Sequence, residues 1–149
     1  MRIRVQAAPF DPGAELTAFS RTAKGAGAII SFTGITRDLP GASLRHMLVE
    51  HYPGMTEKTL NRIATLALKR WSLKRVLILH RYGRMAPGDP IMMVATAAKH
   101  RAEAFQAAGF LMDYMKSRAP FWKKEVSEAG ETWVKAREED ETALNRWQA

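Results

Sequence analysis

The run at residues 113–125, DYMKSRAPFWKKE, constrains this chain more than any other stretch. A proline inside a helix removes a backbone donor and clashes with the preceding turn, so the helical pattern before Pro120 has to stop there. Lys116, Arg118, Lys123 and Lys124 lie within nine residues, interleaved with Tyr114, Met115, Phe121 and Trp122. A solvated helix face normally mixes its lysines with glutamates. Cations beside rigid apolar walls instead suit a pocket for an anionic, planar ligand. Low dielectric strengthens each charge contact there, and a desolvated lysine can exchange protons. The alternative is a basic last turn closed by a proline. That covers Arg118 and leaves Lys123, Lys124 and Trp122 unexplained.

The rest of the pattern is mixed. Residues 1–6 alternate as a short strand, and Asp11-Pro12 reads as N-cap and first residue of a helix to about Ala23. AIISFTGI is expected as a buried strand, RDLPGA as a loop and LRHMLVEHY as a further strand. Thr56 is expected to cap a helix with Leu60, Ile63, Ala64, Ala67 and Leu68 on its apolar stripe. RVLILHRYG and PIMMVATAA read as two strands around an APGD turn. A second long helix starts near Arg101, with Phe105, Ala108, Met112 and Met115 along one side. FWKKEV and TWVKAR form a hairpin, and EEDE opens a short terminal helix. Strands and helices do not alternate regularly, which predicts one α+β domain over residues 1–149 with a largely antiparallel sheet flanked by helices.

Composition removes several chemistries. The chain has no cysteine, so disulfides, thiolate metal sites and a cysteine nucleophile are out, and any sulfur must arrive from elsewhere. Its net charge of +8 is dispersed, with no tract of five consecutive basic residues, so it lacks a nucleic-acid-binding tail. The N-terminus has no signal-like apolar core and no run approaches a membrane span; a cytoplasmic protein with no membrane attachment is expected.

Outside the basic run, His100-Arg101 stands where a strand meets the long helix. Helix N-termini attract anions, and a cationic pair there is unfavourable unless an anion compensates it. Arg37 sits in a loop after SFTGIT, where arginines are ordinarily solvated. Glu50-His51-Tyr52 lacks a second ligand at metal spacing and reads as a hydrogen-bonded structural group. His46 and His80 fall inside strand patterns and read as structural or exposed. No metal site and no cofactor is expected.

FTGITR at 32–37, EHYPGMTEK at 50–58, HRYG at 80–83, APGD at 86–89, AKHRAEAF at 98–105 and MDYMKSRAPFWKKE at 112–125 occur in one order. Together they resemble the large, catalytic subunits of molybdopterin synthase over nearly the whole chain. The resemblance implies an α/β hammerhead fold and a homodimer within a heterotetramer. It also implies a small ubiquitin-like sulfur-carrier subunit whose C-terminal Gly-Gly thiocarboxylate enters the large subunit. The implied reaction is sulfur transfer to cyclic pyranopterin monophosphate, forming the molybdopterin dithiolene. It further implies Lys116 and Lys123 as catalytic lysines and His100 and Arg101 as substrate-binding residues. Ile35, Thr36 and Arg37 would bind substrate from the neighbouring protomer, and Lys124 and Glu125 would complete the substrate-contacting strand. Two other readings use the same residues: a docking scaffold without catalysis, and a basic module stacking nucleic-acid bases on Phe121 and Trp122.

Overall fold

The computed structural model describes residues 1–41, 43–134 and 138–147. In chain order the elements are β1 (Arg2–Gln6), α1 (Pro12–Thr22), β2 (Ala28–Ile35), β3 (Leu44–His51), α2 (Met55–Arg70) and β4 (Arg75–Arg81). They continue with β5 (Gly83–Met85), β6 (Pro90–Ala98), α3 (Arg101–Arg118), β7 (Phe121–Ser127), β8 (Gly130–Trp133) and α4 (Glu138–Asn145). The strands form two four-stranded sheets, ordered β1-β4-β6-β2 and β5-β3-β7-β8. Only β1 and β4 pair in parallel among the described strands; every other pairing is antiparallel. This is the α+β class expected, with two sheets in place of one.

The second sheet arises from a break the sequence pattern hides. RVLILHRYG does not run as one strand: β4 ends at Arg81, and Gly83 takes a φ of 92° that a side chain would strain. Beyond it β5 leaves the first sheet and pairs with β3, setting Met85 opposite Met47. The two sheets are therefore joined where β4 meets β5, beside the start of β7.

Alternation along the central strands divides the core into two layers. Val76 and Ile78 of β4 and Met92 and Val94 of β6 pack with α2 and α3. Leu77, Leu79, Met93 and Ala95 face the other way, onto Phe19 of α1. Thr96 Oγ1 donates to the Ala104 carbonyl at 2.8 Å, tying the first turn of α3 to β6.

Several expectations need correction. The strand AIISFTGI lies at the edge of its sheet, with Phe32 44% and Ile35 51% exposed, so it is half-open. Thr56 does not cap α2; Gly54 does, its N–H donating to Glu57 at 2.6 Å. Thr56 is buried in the first turn and exchanges hydrogen bonds with Tyr52 instead. On α3 the buried stripe runs through Ala104, Ala107, Ala108, Phe110, Leu111 and Met115, while Phe105 points to solvent. The β7–β8 hairpin and α4 form as expected. Residues 135–137 of the second hairpin strand, and Ala42 of the RDLPGA loop, lie outside the described residues. Among the described residues no helix is long and apolar enough to cross a membrane.

Candidate active site: a cleft holding two lysines

Pro120 makes the site. α3 ends at Arg118, and Ala119 turns to φ −73°, ψ 135°, the extended region a residue before proline prefers. The chain then enters β7, so Lys116 in the last helical turn and Lys123 on the strand face one cleft of about 410 Å³. That is the size of a small-molecule site. Met92, Met112 and Met115 line its floor, with Phe121, Trp122 and Trp133 on its walls.

The two amines interact. Burial pushes the Lys123 pKa down to about 8. The Lys116 charge adds to that lowering, and Asp140 of α4 opposes it. Asp140 also lines the cleft. Ser117 Oγ, on the same wall, is buried without a hydrogen-bond partner.

His80 closes the inner end. It is 4% exposed and stacks on Phe121, with ring centroids 3.7 Å apart and planes 14° apart. Burial lowers its pKa to about 3, against a hydrogen bond to the Arg81 carbonyl that raises it; Lys123, Lys116 and His51 lower it further. Sequence reasoning took His80 as structural or exposed and saw Asp140 only as part of an acidic helix start. The available signal was periodicity. His80 continues the face of Val76 and Ile78, and one polar residue on a buried apolar face needs a reason. Asp140 carried no such signal, because only the fold brings α4 over the cleft.

The remaining expected site residues are placed differently. Lys124 points to the other face of β7, where it pairs with Glu131 at 3.2 Å and lies over the Trp133 ring. Glu125 shares the Lys123 face but lies one step beyond the cleft lining. Thr36 is 1% exposed; its N–H donates to Asp89 and its carbonyl accepts from Gly88, both at 2.8 Å. It anchors the APGD turn and offers a ligand no open side chain. Ile35 and Arg37 flank it and are exposed. Gly34, just before them, lies against Met92 of the cleft floor, and none of Ile35, Thr36 and Arg37 lines the cleft of its own chain. His100 and Arg101 are exposed at the opposite end of α3. Lys116 lies fifteen residues beyond Arg101 along α3, about 22 Å at 1.5 Å per residue. His51 takes the structural role expected, its Nδ1 3.1 Å from Thr56 Oγ1.

Fold and cleft define an α+β protein with two amines in an aromatic-walled cleft and no cysteine thiol. The comparisons narrow this class. The MoaE protein family profile matches residues 5–118. The molybdopterin synthase catalytic subunit of Cereibacter sphaeroides is 62% identical over 147 residues, covering 99% of this chain and 100% of that one. That of Pseudomonas aeruginosa is 52% identical over 149 residues, covering 99% of each. The solved molybdopterin biosynthesis MoaE protein of Burkholderia ambifaria superposes with a TM-score of 0.82 at 49% identity, over 99% of this chain and 98% of that one. The chain belongs to the MoaE protein family, the catalytic subunits of molybdopterin synthase.

Proposed function

We propose that this chain, acting as one domain in the cytoplasm, moves sulfur from the C-terminal thiocarboxylate of a small ubiquitin-like carrier onto cyclic pyranopterin monophosphate. The observation that carries this reading is the Lys116–Lys123 amine pair in an aromatic-walled cleft of a chain without cysteine. A carrier tail ending in two glycines is narrow enough to enter such a cleft. Its terminal anion meets the amines there, and the aromatic walls take the planar pterin. Thiocarboxylate sulfur attacks the pterin side chain, and the cations offset the oxyanion that develops. Lys116, the more exposed amine, donates a proton to the departing oxygen. Lys123, already pushed toward neutrality by burial, serves as the base for the water that releases the carrier.

His100 and Arg101 lie too far from the amines of their own chain to touch the same pterin. We assign them to the site of a second copy, in a two-fold dimer where each chain lends its helix N-terminus to the other. Arg37, exposed just after β2, is assigned with them to the second copy's site, as the resemblance implies. The chain alone makes no dithiolene; with thiocarboxylated carrier and cyclic pterin it does. Equal turnover from free sulfide without any carrier would refute the reading.

A further inference from the structure

We infer that the α1 side of the first sheet carries a second anion site: Arg2 and Arg75 hold a single phosphoryl group in a small cavity beneath α1, apart from the lysine cleft. The inference is independent of the sulfur-transfer reading.

Sheet register builds this cavity. Arg2 of β1 stands opposite Leu77 of β4, and partners in a parallel pair project to the same face. Leu77 packs with Phe19 of α1, so Arg2 projects toward α1 as well. Arg75 precedes Leu77 by two residues on β4 and shares that face. Glu15, Phe19 and Thr22 of α1 complete the lining, around a volume of about 80 Å³. Pockets for organic ligands run to roughly 300–1,000 Å³, so this one suits a single tetrahedral oxyanion. The lysine cleft lies across the sheet, in the layer that packs with α3.

The charges around the cavity do not balance. Among the described residues Glu15 is the one carboxylate that lines it, and Glu15 pairs with Arg4 on the same face of β1. Neither Arg2 nor Arg75 forms an ion pair among the described residues. Arg75 Nε is buried without a hydrogen-bond partner among them. An unpaired buried N–H costs free energy, and a guanidinium cannot relieve the cost by losing its proton. An oxyanion accepts from the guanidinium fork and offsets the charge in one step. A phosphoryl group carries about −1.5 to −2 at pH 7, which matches two unpaired guanidinium groups; a carboxylate matches only one.

The test is hydrogen–deuterium exchange on the full chain, titrated with inorganic phosphate, glycerol phosphate or acetate, each against chloride at equal ionic strength. Phosphate is expected to protect the peptides of α1 and β1. In Arg75→Gln the phosphate concentration for half-protection is expected to rise about 10–100-fold, the scale of a lost charge-assisted hydrogen bond. Protection by glycerol phosphate as well assigns the cavity to the head of a phosphate ester; protection by inorganic phosphate alone assigns it to the free ion. Lys116→Ala leaves the α1 protection in place, which separates this site from the lysine cleft. If Arg75→Gln does not fold, Arg2→Gln, at an exposed position, is read in its place. Absence of protection, equal protection by acetate, or protection confined to α3 and β7 overturns the inference. An unmoved half-protection point in the arginine variant overturns it too.

Discussion

Lys123 and Lys116 line one cleft, and the charge of Lys116 adds to the burial that lowers the Lys123 pKa to about 8. Two ammonium groups in one cleft repel each other, so the more buried of them gives up its proton first. The cleft thus sets apart two amines of the same chemical kind by burial.

This sets a pH dependence. With Lys123 lowered to about pH 8 by burial and by Lys116, the neutral base fills as pH rises through that value. The sulfur-transfer rate at saturating carrier is expected to climb with pH to a bend near 8. A rate that declines across the same interval would reverse the roles of the two lysines.

Removing either amine should cost turnover far more than carrier affinity. Lys116→Ala and Lys123→Ala are each expected to lose about 10²–10⁴-fold in turnover, the scale of a positioned acid–base group. Ala is a good helix former, so α3 persists in the Lys116 variant. Single-turnover kinetics with calorimetric carrier binding separates the two effects; near-normal turnover would reduce Lys116 to a surface charge.

Lys123 also lowers the stability of the fold that holds it. Its folded-state pKa lies below the unfolded value, so between about pH 8 and 10.5 the unfolded chain binds more protons and stability rises with pH. Below pH 8 the penalty of burying the charge is present in full. Lys123→Met keeps the alkyl stem without the charge, so it should melt higher than the parent chain at neutral pH. The gap should close as pH approaches 10.5. A constant gap would mean that the gain comes from packing.

The residues differ in how far the sequence reveals them. Pro120 and its flanking lysines announced the cleft because a helix stop followed by aromatics is a local pattern. The buried stripe of α2 through Leu60, Ile63, Ala64 and Ala67 was legible for the same reason, since period-3.6 spacing is local. The split of RVLILHRYG between two sheets was not, because only the partner strands decide where β4 ends. Phe105 misled because an apolar residue near a helix stripe is ordinarily buried, and here it lies off the face that meets the sheet. Thr56 looked like a cap by residue type, yet Gly54 occupies the turn because its φ of 85° excludes side chains.

One glycine shapes the presentation of His100 and Arg101. A methyl at Gly27 would overlap the Lys99 carbonyl oxygen, which sits immediately before that pair. The clash is with backbone, so it cannot be relieved by rotating a side chain. Gly27→Ala is expected to lose about 1–3 kcal/mol of stability, the range for forced overpacking. Chemical denaturation checks this; a loss within error would show that β2 can shift freely at its first turn.

Crossed assignment of Arg101 gives the sharpest test of the assembly. If Arg101 serves the second copy's cleft, each site takes its amines from one chain and Arg101 from the other. Mixed dimers of Arg101→Ala with Lys116→Ala then contain one site carrying both lesions and one carrying neither. With random exchange at equal amounts, roughly half the dimers are mixed and about a quarter of all sites recover, as two-fold symmetry requires. Arg37 is assigned to the second copy's cleft as well, so Arg37→Ala with Lys116→Ala gives the same result if Arg37 crosses: one doubly lesioned site and one site free of lesions. Without crossing, each site of that pair carries one lesion and activity stays low. Turnover is measured before and after subunit exchange, with mixing verified by native mass spectrometry. Recovery in both pairs is the expected outcome. Absence of recovery in the Arg101 pair despite verified mixing would return Arg101 to its own chain, where about 22 Å of helix separates it from the lysines and denies it any contact with the ligand they hold.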